Sequence, residues 1–123
     1  YDSNSPKGGY NIFIEKGSGR IQCVVREGEN YIDLSSTRSY ADNKWHHVVL
    51  LREGTQMRMY VDGSLIVSRS CTGRSMVNNK PFVIGTYSQE LMNYHFRGAI
   101  DDVRIYSRAI SAAEVEMLYQ LKH

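Results

Sequence analysis

Apolar and polar residues alternate along most of this chain in short runs, separated by segments rich in glycine, asparagine and serine. That period of two is the signature of half-buried strands. In residues 10–15, Tyr10, Ile12 and Ile14 fall on one face and Phe13 on the other. Lys16-Gly17-Ser18-Gly19 is a turn. In residues 20–26, Ile21, Cys23 and Val25 oppose Gln22 and Val24. Residues 27–30 turn again, residues 31–34 predict a short strand, and the polar stretch 35–43 reads as a loop.

Residues 45–52 form the longest apolar run. Trp45, His47, Val49 and Leu51 share one face and His46, Val48 and Leu50 the other, as in a central strand covered on both sides. Its place in this run puts Trp45 in the core rather than on a sugar-stacking surface. After a turn at residues 53–55, residues 56–61 direct Met57, Met59 and Val61 inward and Arg58 and Tyr60 outward. Asp62-Gly63 predicts a tight type I′ hairpin, which needs φ > 0 at both central residues. Residues 64–69 are the returning strand. A polar loop at 73–81, a brief strand at 82–85, a second loop at 86–94 and a long strand at 96–106 follow. Ser111 with Glu114 three positions later makes a capping box, S-x-x-E, for a short amphipathic helix over 112–121 with Val115, Leu118 and Tyr119 on one face. The pattern as a whole is an all-β sandwich with one C-terminal helix.

Composition narrows the function more than it names one. The 123 residues fit one domain, and 41% hydrophobic content is enough for a core. Fifteen basic and 13 acidic residues leave a net charge of +2, too balanced to point to nucleic acid or an anionic membrane. No apolar run approaches the roughly 20 residues of a membrane span. Nine of the aromatic residues are Tyr, which suits sheets with one wet face. The chain opens on Tyr1, and YDSNSPKGGY is turn-rich like a loop interior, so a processed or excised piece of a longer protein is expected. Cys23 and Cys71 are the two cysteines; they form one disulfide of a secreted domain, stay as buried thiols, or pair outside this piece.

Asp101-Asp102 is the most specific local feature. Ile100 falls on one parity of its strand and Val103 and Ile105 on the other, so a β-bulge at the two aspartates would restore burial and re-aim a carboxylate. Such a carboxylate is a candidate Ca²⁺ ligand; pairing with a neighbouring arginine or capping a loop is the plainer role. Adjacent histidines on a strand point to opposite faces, so His46-His47 is a poor metal site, with one ring packed and one at the surface.

Lys44-Trp45-His46-His47-Val48, Met59-Tyr60-Val61-Asp62-Gly63, Val83-Ile84-Gly85, the run from Phe96 through Asp101-Asp102 to Tyr106, and Ser111 leading to Glu114 together resemble the C-terminal portion of a laminin-G-like jelly-roll domain of the concanavalin A-like lectin/glucanase superfamily. The resemblance covers residues 43–120, and residues 1–42 match more loosely. It implies an antiparallel jelly-roll β-sandwich, with residues 1–123 as one partial domain lacking its N-terminal strands. The remainder of a parent protein or another chain would supply those strands, since a half-sandwich leaves open edges and a bare apolar face. It implies a structural Ca²⁺ held partly by Asp101 or Asp102, with the other ligands from the missing portion. It also implies a non-catalytic recognition or adhesion module, secreted or at the cell surface, that binds glycans or extracellular proteins. Alternatives are an accessory domain of a larger secreted hydrolase (glycosidase, sialidase or protease) and a purely structural piece of an extracellular assembly. The glucanases of the superfamily carry clustered carboxylates along one strand, E-x-D-x-x-E, and this chain has no such cluster. Ligands in such folds bind on the concave sheet or at rim loops, where Tyr87, Gln89, Asn93, Tyr94 and His95 combine aromatic faces with amides; ordinary loop roles are the plainer reading. Arg69, Arg74 and Lys80 around one polar loop would favour an acidic glycan, against a simple solvated loop.

Overall fold

A computed structural model describes residues 8–73, 98–106 and 108–121. Six strands, β1 (Gly8–Ile14), β2 (Arg20–Glu27), β3 (Asn30–Ser39), β4 (Val48–Glu53), β5 (Gln56–Val61) and β6 (Ser64–Ser70), precede one helix, α1 (Ala112–Gln120). They form two antiparallel three-stranded sheets, ordered β1-β2-β3 and β4-β5-β6. The alternation of β2 holds to the residue: Ile21, Cys23 and Val25 are buried and the residues between them half-exposed. Met57, Met59 and Val61 of β5 meet them from the opposite sheet, with Leu34 of β3 and Tyr40 completing the core. This is the antiparallel sandwich with a C-terminal helix that the sequence predicts.

The second face of β4-β5-β6 is also dry. Leu51 and Tyr60 point away from the sandwich core and lie under Ile110 and Val115, with Val49 and Leu118 beside them. Tyr60 therefore points outward as expected but is only 8% exposed. Strand β4 is covered on both sides, as its apolar run predicts, yet among the described residues β5 holds the middle of the sheet. The helix begins as the capping box requires: Glu114 N–H donates to Ser111 Oγ (3.1 Å) and Ser111 N–H to Glu114 Oε1 (3.1 Å). Arg108 adds a two-pronged contact to the same carboxylate (3.0 and 2.7 Å). That guanidinium, then the Ser111 N–H, hold the Glu114 carboxyl down at about 2. The Asp62-Gly63 hairpin has φ of 52° and 83°, as type I′ demands. Gly63 is required twice over, because a Cβ there would meet the Glu116 carboxylate and the Tyr119 ring of α1.

Four expectations are corrected. Strand β3 runs to Ser39 rather than stopping at residue 34. A register shift opposite Arg20–Gln22 takes the Ile21 N–H out of the ladder, and the buried Ser36 hydroxyl accepts it (3.0 Å) while donating to Arg38 O (2.8 Å). Polar side chains there maintain the strand, so hydropathy alone hides it. Glu27 is a buried strand residue, not part of the turn. Trp45 is not core: β4 starts at Val48, and the indole is 69% exposed. The His47 backbone still meets Asp62, with Asp62 N–H donating to His47 O (2.8 Å) and His47 N–H to Asp62 Oδ1 (2.9 Å), and Trp45 lies two residues before this last contact with the hairpin. Finally, residues 98–106 are not a strand. They pair with no described strand, and Ile100, Val103, Ile105 and Tyr106 are exposed. The expected strand at 82–85 lies outside the described residues, as do Phe96 and Arg97.

The apolar triplet of β1 has a related fate. Tyr10, Ile12 and Ile14 sit opposite Val25, Cys23 and Ile21 and so share the inner face. They are nonetheless 42%, 48% and 37% exposed, because no described element lies over them.

Candidate functional site

The densest polar constellation among the described residues ties the β3–β4 connection to the β5–β6 turn. His46 lies between two carboxylates: its Nδ1 is 2.7 Å from Asp62 Oδ2 and its Nε2 2.7 Å from Asp42 Oδ1. Asp62 reaches this position because the turn gives it a left-handed backbone, and its second oxygen accepts the His47 N–H. Asp42 is aimed by the loop, where Lys44 N–H donates to the same carboxylate oxygen (3.2 Å) and Asn43 takes φ of 60°. Tyr40 packs edge-on against His46 at 4.9 Å, and the Arg38 guanidinium covers the Tyr40 ring at 3.9 Å. Both imidazole nitrogens can bond to carboxylates only when both carry protons. Burial alone would lower the His46 pKa; the hydrogen bonds its ring donates to Asp62 and Asp42, then their charges, outweigh it and raise the pKa above the ordinary value. The His46 hydrogen bond leads the causes that hold Asp42 below its ordinary value. Chemically this is a charged staple that fixes a loop, and the exposed Trp45 indole stands on that loop. Sequence reasoning assigned residues 35–43 to a plain loop and one histidine to the surface. The one available signal was Asp62, a carboxylate placed by its turn next to a histidine-rich strand start.

A second constellation lies at the opposite end of the core. Glu27 is fully buried where β2 ends; its carboxylate accepts from Arg52 of β4 (3.2 Å) and from the Thr72 N–H beyond β6 (2.8 Å). Burial pushes this carboxyl up, but Thr72, the Arg52 charge and the Gly73 N–H together bring it below the ordinary range. A shallow groove of about 390 Å³ opens here, lined by Glu27, Asn30, Tyr31, Ile32, Ser70, Cys71 and Thr72.

The cysteines do not pair with each other. Cys23 is buried in the core with its Sγ 3.3 Å from Met59 Sδ, and burial pushes its thiol up to about 12. Cys71, half-buried past the end of β6, points its Sγ to Gly54 O (3.7 Å). The bridge fails because Cys23 faces inward between the sheets while Cys71 is engaged at the β4–β5 turn.

Of the predicted ligand-binding residues, Tyr87, Gln89, Asn93, Tyr94 and His95 all lie outside the described residues, as do Arg74 and Lys80. Arg69, on β6, donates to Ser68 O (3.0 Å). Asp101 and Asp102 are exposed, and there is no ladder for them to bulge from. Asp102 adopts φ of 54° and its N–H donates to Asp101 Oδ1 (2.9 Å), a local loop-stabilising bond. Ca²⁺ takes six to eight oxygens. No group of three or more acidic, histidine or cysteine side chains suited to a metal occurs among the described residues. Any calcium site at this pair would draw its other ligands from outside the described residues, as the resemblance implies.

Two facing antiparallel sheets, a helix on the outer face and a rim of bonded loops define a lectin-like sandwich. The chain belongs to the concanavalin A-like lectin/glucanases superfamily, whose laminin G description matches residues 1–116. The match takes in the first 42 residues as well as the more distinctive remainder. The chain is similar to part of adhesion G-protein coupled receptor V1 of Danio rerio, with 24% identity over 118 residues, 89% of this chain and 2% of that protein. It is also similar to paraclostridial mosquitocidal protein 1 of Paraclostridium bifermentans, with 25% identity across 95% of this chain and 10% of that protein. Human usherin matches at 28% identity over 64% of this chain and 2% of its own length. The chain thus spans a tenth or less of each of these relatives. A solved structure of an S-layer domain-containing protein (residues 221–444) from Clostridium thermocellum shares the fold, with a TM-score of 0.58 at 19% identity. It covers 98% of this chain and 66% of that one. No helix among the described residues is long and apolar enough to cross a membrane.

Proposed function

We propose that this chain is a non-catalytic recognition and adhesion module that works outside the cell and binds glycans or extracellular proteins. Membership of a lectin-like superfamily over residues 1–116, shared with a segment of an adhesion receptor, carries this reading. The small share of each relative's length that it spans supports its acting as one module of a larger protein. The second reading, an accessory domain that positions another domain of a larger secreted protein, draws on that same modularity. A glycan array probed with the full chain, beside Tyr94→Ala and Trp45→Ala, tests the first. Selective binding lost in either variant supports recognition at the substituted residue. Uniform failure to bind any glycan or extracellular-matrix protein would discard it in favour of the positioning role.

A further inference from the structure

The Asp42–His46–Asp62 staple carries an inference that does not depend on what the module binds. The three side chains come from two separate places in the chain, the β3–β4 loop and the β5–β6 turn, and this bonding, with the His47 backbone pair, joins the loop to that turn. We propose that His46 is a proton-operated clamp: its protonated ring bridges Asp42 to Asp62 and fixes the loop that presents Trp45, and loss of the proton releases that loop.

The geometry sets the operating direction. A neutral imidazole has one N–H, so it donates to one carboxylate and turns a lone pair toward the other. At 2.7 Å that second contact becomes repulsive, and Asp42, on the more exposed side, is the partner that gives way toward solvent. Asp62 stays in place, since its backbone is set by the turn and its other oxygen holds the His47 N–H. The charged surroundings of the ring agree with a clamp that is tight when protonated. Asp42 and Lys44 lie on the loop itself, Asp62 on the hairpin, Tyr40 with Arg38 stacked behind it at the exit of β3, and Glu116 of α1 against Gly63 beside Asp62. The carboxylates outnumber the nearby cations, which favours a charged ring.

The sign follows. The folded-state pKa of His46 is raised, so the clamp is fully closed below the ordinary value of 6.5 and opens as pH rises through the higher folded value. At the acid end the Asp42 arm is lost when that carboxylate takes up a proton, which occurs below the ordinary 3.8 because the group is shifted down. The loop is therefore firmest in mildly acidic surroundings and loosens toward alkaline ones.

The chain contains a single tryptophan, and it stands next to the clamp, so its fluorescence reads the loop directly. Anisotropy of Trp45 and the His46 ring resonances would be followed in the full chain from about pH 5 to about pH 9. The expected result is one shared midpoint above 6.5, with anisotropy falling as pH rises. Asp62→Asn keeps the turn and the His47 contact but should weaken proton binding by His46 roughly three- to tenfold and move both midpoints down together. Asp42→Asn should do the same from the exposed side and is not expected to disturb folding. His46→Gln should abolish the transition. A His46 midpoint at or below 6.5, or anisotropy flat across the range while circular dichroism shows a folded protein, overturns the clamp. So does an anisotropy midpoint that stays put in Asp42→Asn.

Discussion

Glu27 offers the sharpest energetic test of how the two sheets are held together. Its carboxylate belongs to one sheet, Arg52 to the other, and Thr72 to the segment leaving β6, so a single buried group joins three parts of the fold. Removing one partner of a buried ion pair costs about 3–5 kcal/mol when the survivor stays dry. Arg52 keeps 24% of its side chain in solvent and can recover part of its hydration, which lowers that figure. The Thr72 N–H loses its acceptor too, at about 1–3 kcal/mol if it cannot reach water. Together these place Glu27→Ala at about 3 kcal/mol of lost stability. Glu27→Gln, which keeps the volume and one acceptor oxygen, should lose about 1–2 kcal/mol. Urea unfolding of the two variants, with Arg52→Met and the double substitution to complete a cycle, measures both the losses and the coupling. The folded pKa of Glu27 lies below the ordinary 4.5, so its contribution is present at neutral pH and disappears as pH falls through the folded value. The difference between wild type and Glu27→Gln should therefore shrink in acid. Coupling below about 0.5 kcal/mol, or a wild-type advantage that grows in acid, would refute the argument that this pair bridges the sheets.

The free thiols predict a two-step labelling pattern: a thiol reagent should modify Cys71 in the native protein and Cys23 only on unfolding, since burial holds Cys23 at about 12. Equal native rates would contradict the packing of β2. Calcium can be settled by thermal unfolding with the ion and then with excess chelator. The exposed Asp101-Asp102 pair, bonded within itself, predicts that Asp101→Ala leaves any shift unchanged; a rise of several degrees that the substitution abolishes would restore the pair as ligands. The glycan array and the pH titration described above complete the set.

The parts of this fold that the sequence discloses are those where one local rule decides the outcome. The inward Met57, Met59 and Val61, the Asp62-Gly63 turn and the Ser111–Glu114 box each need only neighbours within a few residues, and each is present. The misreadings share a different cause: a long-range polar bond overrides the local pattern. Ser36 extends β3 by serving Ile21, fifteen residues away. Glu27 leaves the turn for the core because Arg52 and Thr72 await it there. Trp45, apolar and at the start of an apolar run, lies on a loop whose next two residues are both bound by Asp62. The staple itself was legible only in fragments, because no spacing rule joins Asp42 and His46 to a residue beyond an intervening hairpin. The adjacent aspartates Asp101 and Asp102 show the converse failure. Alternation predicts a strand for residues 98–106, but a strand requires a neighbour, and no described strand pairs with that segment.

The helix that covers Leu51 and Tyr60 also sets a timetable for the growing chain. Hairpins β4–β5 and β5–β6 are local and complete by Ser70, and they can pair as soon as they leave the ribosome. The cover of their outer face among the described residues, however, comes late: Ile110 and Val115, with the Ser111 cap that closes the first helical turn. Until then Leu51 and Tyr60 lack that cover, and an uncovered apolar sheet face is the kind of surface that attracts chaperones or other nascent chains. A chain ending before Ser111 would keep every residue of the inner core cluster and lose Val115 from the outer one.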